Sequence, residues 1–572
     1  MNVERKIGPT AAESYMSALL DNGIKYVFAN AGTDFAPIIE GLVRMKSQGV
    51  EAPEFVTVPH ENVAMAMAQG YSKVTHEASA VMVHVNVGTA NCICGLMNAA
   101  RDNVPVLLAA GRTPLTETGH AGSRDSSIHW TQENFDQAGI VREHVKWDYE
   151  LRAGQPVNTI VARALDIAMT EPRGPVYLSL PREVLGDELA DPGPKPRPRK
   201  HGSLTPAPAL TGIEQAADWI AGAEAPLIVA GRSGRLPGAF EALGELALEH
   251  ALPVVNSALS ANIATSHPMW LGMINPSALA AADVIVVLDS AVPWIPKAVR
   301  LRDDVKLIHV AHDPFFSRIP FRGYQIDLAL AGDPVLALIM LREALRTKAN
   351  AHRTRFDARR KSVAERRAKF DEARGAALKQ AMNARPMSTI AVAHALNQVK
   401  ARNAIISEEL GVPLTFLDME EPNCFLSTSS GALGMGIGQA LGAKLAAPDR
   451  QVIATIGDGS YMFGCPTPTH FVQRSENLPT LTMIMNNSQW YAVRSATLRM
   501  YPSGHASRTN ALPVVSLTPS PDYEKIVETC GGYGERVEDP EKLVPAIERA
   551  FKKMEDGIAV TLNVITADRA AL

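Results

Sequence analysis

The chain has 572 residues, too many for one ordinary domain, so two to four are expected. With 46% hydrophobic and 20% charged residues it can fill several cores, and a net charge of −4 gives no reason to expect nucleic acid or an anionic membrane as partner. The five cysteines are odd in number and form no CxxC pair, which argues against a disulfide framework and a cysteine zinc site.

The start, "MNVERKIGPTAAESYM" (1–16), has no signal-peptide core, and no stretch is long and apolar enough to span a bilayer. A cytoplasmic protein is therefore expected. Thr10 and Glu13 have capping-box spacing and open the first helix. Apolar, β-rich runs follow at 26–32, 78–88, 104–111 and 175–180, with helical patterns between them. The proline- and charge-rich stretch 190–208 reads as a linker. A second group of runs lies at 225–231, 252–256, 282–289 and 306–313, and Gly231 to Gly234 ("GRSG") reads as a strand-end turn. From 342 to 385 the charges are mixed and aromatics are few, so a solvated connecting helix is expected rather than a nucleic-acid-binding one. The third group is 403–409, 451–459, 481–487 and 558–566. Near-continuous apolar runs alternating with helices predict an α/β fold of three doubly wound, parallel-sheet domains. Their expected limits are 1–188, 205–345 and 375–572. No repeat of fixed period is visible.

Ligands of such sheets bind outside the carboxyl ends of the strands. Gly457-Asp458-Gly459-Ser460 lies at one such end, and Asn486-Asn487 at the next, with 26 residues between Gly459 and Asn486. Glycine lets backbone approach a phosphate, and Asp458 offers a hard oxygen suited to Mg²⁺. Alone, each motif is an ordinary turn; together at two strand ends they point to a bound metal and diphosphate.

This arrangement resembles the signature of thiamine diphosphate (ThDP) enzymes, in the branch of acetolactate synthase and benzoylformate decarboxylase. The resemblance implies an N-terminal pyrimidine-binding domain, a middle domain and a C-terminal diphosphate-binding domain. It implies Mg²⁺ bound by Asp458, the Asn487 side chain and the Gln489 backbone carbonyl, with Gly459 and Ser460 holding the diphosphate. "VPHENVAMAMAQGYSKVT" (58–75) resembles the family's catalytic glutamate and its helix, which makes Glu61 the group bonded to the aminopyrimidine. Such a glutamate should sit in an apolar pocket. "STSSGALGMGIGQALGAKLA" (427–446) matches the family's loop under the cofactor, with Leu433 forcing the bent cofactor shape and the Gly431 carbonyl accepting from its amino group. Its small residues also suit close helix–helix packing.

The substrate side is less defined. His84 falls where a benzoylformate decarboxylase-like enzyme carries an active-site histidine, and His60 is a further catalytic candidate. Thr33 stands where that enzyme has a serine. Gln132 instead resembles part of an acetolactate-synthase stretch. Trp490 and Tyr491 follow the metal site and are candidate walls of a substrate pocket. The implied activity is cleavage or formation of a C–C bond next to a carbonyl, on a 2-oxo acid or related acyl donor. His84 favours a decarboxylase or lyase; the alternative is an acetolactate synthase-like carboligase. FAD is not expected. A nicotinamide-dependent oxidoreductase lacks its glycine fingerprint here, and a catalytically silent subunit of the same fold would be expected to lack Glu61. The resemblance also implies a homodimer or homotetramer with active sites between subunits.

Overall fold

The computed structural model of the chain describes residues 8–191, 193, 194 and 200–567. Of the expected linker, residues 192 and 195–199 lie outside the described residues, as do residues 1–7 of the start. The first sheet holds β1 (Tyr26–Asn30), β2 (Glu54–Thr57), β3 (Ser79–Val83), β4 (Val106–Arg112), β5 (Asp148–Glu150) and β6 (Val176–Pro181). The second holds β7 (Pro226–Ala230), β8 (Val254–Asn256), β9 (Trp270–Met273), β10 (Val284–Leu288), β11 (Lys306–Ala311) and β12 (Leu328–Ala331). The third holds β13 (Ile405–Glu409), β14 (Phe425–Leu426), β15 (Val452–Gly457), β16 (Leu481–Asn486), β17 (Tyr533–Val537) and β18 (Val560–Ile565). Neighbouring strands are parallel in all three sheets, as the apolar runs predict.

The twelve runs read from the sequence became the four inner strands of each sheet. The six strands not read as such are the sheet edges: β2 and β5, β9 and β12, β14 and β17. The physical reason is burial. Inner strands such as β3, β7 and β10 are buried at every residue, because helices cover both faces. Each fully buried Val, Ile or Leu there contributes roughly 1.5–3 kcal/mol. Edge strands are short and partly exposed, as in β5 and β12, so they leave no apolar run.

Two runs end sooner than expected. The run 78–88 stops being a strand at Val83, and a helix begins at Val85 with His84 as its N-cap residue. The run 451–459 ends at Gly457, and Asp458 already opens a helix, Asp458–Phe463. In both cases the chemistry-bearing residue lies at the strand-to-helix turn.

The first and third sheets share one strand order. It runs β2-β1-β3-β4-β6-β5 in the first and β14-β13-β15-β16-β18-β17 in the third. The middle sheet differs, with β12-β11-β10-β7-β8-β9. Two of the three sheets therefore reverse direction at equivalent places, β1/β3 and β13/β15, and such reversals are where α/β sheets bind ligands. The Thr10 capping box is formed, with Glu13 accepting the Thr10 N–H at 2.8 Å. The charged segment forms a 30-residue helix, Arg353–Met382, that docks on the middle domain. Its buried Arg359 donates to the carbonyls of Ile220, Ala221 and Ala223, which end the helix Leu210–Gly222. Among the described residues no helix is long and apolar enough to cross a membrane.

The N- and C-terminal domains meet through two helices, Glu61–Thr75 and Gly436–Ala446. They interlock at glycines. A Cβ on Gly70 would lie 2.1 Å from the Gln439 carbonyl oxygen, and one on Gly442 would lie 1.9 Å from that of Met67. Only glycine allows this approach, so the small residues of both stretches serve the helix–helix packing expected of them. This contact sets the start of the Glu61 helix against the C-terminal domain.

Candidate active site

Glu61 opens its helix just after β2, where an acidic group is favoured by the helix dipole. His60 precedes it as N-cap, and its Nδ1 accepts the Asn62 N–H at 3.1 Å. One ring nitrogen of His60 is thus committed to the backbone, and the residue acts as a helix cap in this structure. Glu61 is buried, at 6% exposure. Its pocket is not apolar as expected. Oε1 accepts from Asn30 Nδ2 at 3.0 Å, and Oε2 from Asn91 Nδ2 at 3.1 Å. A buried carboxylate without donors would cost too much, and two neutral amides satisfy it without adding a counter-charge.

His84 stands at the carboxyl end of β3. Its Nδ1 is hydrogen-bonded to Asp34 Oδ1. That bond raises the His84 pKa above its ordinary value, burial opposes it, and the charges of Asp34 and Glu61 add to the rise. Thr33 is exposed at the start of the turn Thr33–Phe35, next to Asp34. Gln132 only closes the short helix Ile128–Thr131, its N–H donating to the Ile128 carbonyl. Its neighbour Glu133 is paired with Arg112 and Arg124. No bond ties Gln132 to Glu61 or His84 among the described residues.

At the other end, Asp458 is 3% exposed. Oδ1 accepts the Gly459 N–H at 2.8 Å, while Oδ2 is buried without a partner. Burial raises the Asp458 pKa; the N–H groups of Gly459, Ser488, Gln489 and Asn487 pull it back. The loop after β16 therefore faces this carboxylate. Asn486 is not part of that face. Its amide spans Ser520 and Asn563, and its oxygen accepts from Ser488. Asn487 is half-buried, and its side-chain oxygen accepts only a long bond from Gln489 N–H at 3.3 Å. The Gln489 carbonyl takes the Tyr491 N–H at 2.9 Å. One orphaned carboxylate oxygen, one carboxamide oxygen and one carbonyl make an all-oxygen set that fits Mg²⁺. Among the described residues no cluster of three or more His, Cys, Asp or Glu forms a metal site, which this set does not need.

Trp490 packs against Gly459: a Cβ there would be 2.2 Å from its ring. It also meets the Phe463 ring edge-on at 5.8 Å. Trp490 thus roofs the Gly459-Ser460 turn, and Ser460 is buried beneath the same helix start. Tyr491 opens the helix Tyr491–Met500, half-buried. The loop bearing Gly431 and Leu433 is pinned from both sides. Gly431 is exposed in a left-handed turn, φ 73°, and Leu433 is half-buried. Asn98 of the N-terminal domain donates to the Ala432 carbonyl at 2.9 Å. Glu409, at the end of β13, accepts the N–H groups of Gly434 and Gly436, each at 2.6 Å. Burial pushes the Glu409 pKa up to about 7.

The helix that Glu61 opens touches the end of the Asp458 helix. Asn62 Nδ2 donates to the Phe463 carbonyl at 3.4 Å, and the Cys465 thiol is raised by burial and then by the Glu61 charge. Sequence reasoning missed Asn30, Asn91, Asp34 and Glu409. A polar residue at a strand end was a visible signal for Asn30 and Glu409. Nothing local marks Asn91.

Three family models match the chain. "Thiamine pyrophosphate enzyme, N-terminal TPP binding domain" covers residues 9–140, the "central domain" 213–341, and the "C-terminal TPP binding domain" 412–561. The chain is 23% identical to the acetolactate synthase isozyme 3 large subunit of Escherichia coli, over 97% of this chain and 94% of that one. It is 26% identical to benzoylformate decarboxylase of Pseudomonas aeruginosa, over 83% and 85%. A solved structure, the thiamine diphosphate-dependent 4-hydroxybenzoylformate decarboxylase of Rhodococcus jostii, superposes with a TM-score of 0.79 at 21% identity, covering 98% of this chain and 100% of that one.

Proposed function

Because this chain belongs to the thiamine pyrophosphate enzyme family, we propose that it is a ThDP- and Mg²⁺-dependent 2-oxo acid decarboxylase of the benzoylformate decarboxylase-like kind. The observation that carries this reading is that one chain holds both a buried Glu61, bonded by two amides, and a buried Asp458, whose Oδ2 makes no hydrogen bond among the described residues. Asp458, Asn487 and the Gln489 carbonyl would hold Mg²⁺, and Gly459 and Ser460 the diphosphate. Gly431 and Leu433 would seat the ring portion. When bound, the cofactor's thiazolium supplies the electron sink for cleaving a bond next to a carbonyl.

The chain's own residues do the rest. Glu61 holds a proton or gives it up at one Oε while the Asn30 and Asn91 amides keep the carboxylate in place. Glu409 fixes the Leu433 loop, and Trp490 keeps water from the Gly459 turn. His84, favoured in its charged form by Asp34, offers a donor to the carboxylate or carbonyl of the substrate. His60, Thr33, Gln132 and Tyr491 take no chemical step in this reading. The proposed domain limits stay 1–188, 205–345 and 375–572.

Carboligation is a second reading. The acetolactate synthase relative spans 97% of the chain, against 83% for the benzoylformate decarboxylase. The proposed assembly is a homodimer or homotetramer with shared sites. Exposed apolar side chains on and just after the Asp458 helix, Met462, Phe463 and Phe471, are surface that a second copy would cover. The deciding experiment titrates apo-protein with ThDP and Mg²⁺, then screens 2-oxo acids for CO₂ release with and without acceptor aldehydes. CO₂ and free aldehyde are expected. A coupled product identifies a carboligase, and no ThDP binding defeats the reading.

A further inference from the structure

Asp34 is 3% exposed and does two jobs at the end of the first sheet. Its Oδ1 meets His84 Nδ1, and its Oδ2 accepts the Val85 N–H at 3.3 Å. One carboxylate thus fixes both the ring and the backbone that carries it. Neighbours without side chains make room for it. A Cβ on Gly111 would lie 1.7 Å from Asp34 Oδ2, and one on Gly32 would lie 2.1 Å from His84 Nδ1. Val85 is held at φ 30°, in the left-handed region that β-branched residues avoid. Strain of that kind persists only where the surroundings impose it, and it gathers at functional sites. A histidine that merely filled space would need neither the buried carboxylate nor the strained neighbour.

With Nδ1 committed, Nε2 is the ring nitrogen left for a ligand, and the His84 side chain is 21% exposed. We propose that Asp34 is a positioning residue that locks His84 in one orientation, presenting Nε2–H as a hydrogen-bond donor to the carboxylate or carbonyl oxygen of a 2-oxo acid. This rests on the 2-oxo acid reading of the proposed function. The charges that face the ring are Asp34, from the turn after β1, and Glu61, from the adjoining helix; both favour the imidazolium. A raised histidine pKa keeps the ring charged to higher pH. Activity that needs the charged ring therefore persists up to that raised pKa and falls above it.

The test uses holoenzyme with isotope-labelled histidine, and His84→Gln identifies the His84 signal by NMR. In Asp34→Asn, which keeps the shape and removes the charge, the His84 titration should fall by roughly one pH unit or more. The alkaline limb of kcat should move down with it. An unchanged titration overturns the proposal whether or not a substrate is found, so its failure is distinct from failure of the 2-oxo acid reading. Wild-type kcat in His84→Gln on a substrate that is turned over also overturns it. Should Asp34→Asn not fold, the wild-type protein decides: a slowly exchanging, hydrogen-bonded Nδ1–H supports the lock, and a freely exchanging one refutes it.

Discussion

Glu61 and Asp458 each stand at the start of a helix that follows a parallel strand, in two sheets with the same strand order, but at different places: Glu61 follows the edge strand β2, whose counterpart is β14, and Asp458 follows the inner strand β15, whose counterpart is β3. Their surroundings differ. Both oxygens of Glu61 are taken by neutral amides of Asn30 and Asn91, whereas Asp458 has one oxygen on its own Gly459 N–H and one that makes no geometric hydrogen bond among the described residues, though the N–H groups of Asn487, Ser488 and Gln489 act on the carboxylate. The first carboxylate has a donor on each oxygen, whereas the second keeps one oxygen with no geometric hydrogen bond, and on that difference rest the proposed proton-handling role of Glu61 and the proposed cation-binding role of Asp458.

Exchanging the charge at each end tests that contrast. Glu61→Gln should lower kcat about 10²–10⁴-fold, the usual worth of a positioned acid–base group. Its ThDP affinity should stay near wild type, because the metal end is untouched. Hydrogen–deuterium exchange at the reactive carbon of bound ThDP measures the effect, and a wild-type exchange rate would remove Glu61 from the proton site. Asp458→Ala should instead lose binding, by about a hundredfold or roughly 2.7 kcal/mol, read by calorimetry with ThDP and Mg²⁺. Asp458→Asn should melt higher than wild type without Mg²⁺ and lower with it. The orphaned buried charge is a cost only while no cation answers it. The same melting order in both conditions would contradict a metal role.

The two variants also test whether the ends belong to one chain or two. Within one chain Asn62 already touches Phe463, yet the family resemblance puts the cofactor between subunits. Mixing inactive Glu61→Gln and Asp458→Ala chains, with subunit exchange verified by mass, should restore about a quarter of the sites in a dimer built on shared sites. No recovery would assign each site to a single chain.

Smaller effects are expected further out. Glu409→Gln puts an amide N–H against a backbone N–H of the Leu433 loop and should cost about 1–3 kcal/mol. The sign of its pH dependence follows from the raised pKa. A carboxyl pushed up to about 7 binds more protons folded than unfolded, so its contribution falls as pH rises from the ordinary carboxylate range through about 7. The stability gap between wild type and Glu409→Gln should therefore be widest near pH 5 and shrink by pH 8, as melting curves would show. A gap that widens with pH would contradict the buried-acid assignment. His60→Ala removes only a helix cap and should cost about 0.5–2 kcal/mol with kcat preserved. A large loss of kcat in a folded His60→Ala protein would return His60 to the chemistry.

By itself the sequence determined the inner architecture and the two motif ends. Twelve apolar runs became the inner strands, because a strand covered on both faces must be apolar throughout. The Thr10–Glu13 cap, Glu61 at a helix start and Asp458 at a strand end are local patterns, readable within a few residues. Only the tertiary structure decided the edge strands, whose partial exposure leaves no run to read. It also supplied the partners that give each motif its chemistry. Asn30 and Asn91 lie 31 and 30 residues from Glu61, and Asp34 lies 50 from His84. Such pairs are set by which strands become neighbours, at the reversal of the sheet, and no local pattern encodes that choice. The meeting of Glu61 with the C-terminal domain depends likewise on the interlock at Gly70 and Gly442, where the glycines are visible in the sequence but the backbone they admit is not.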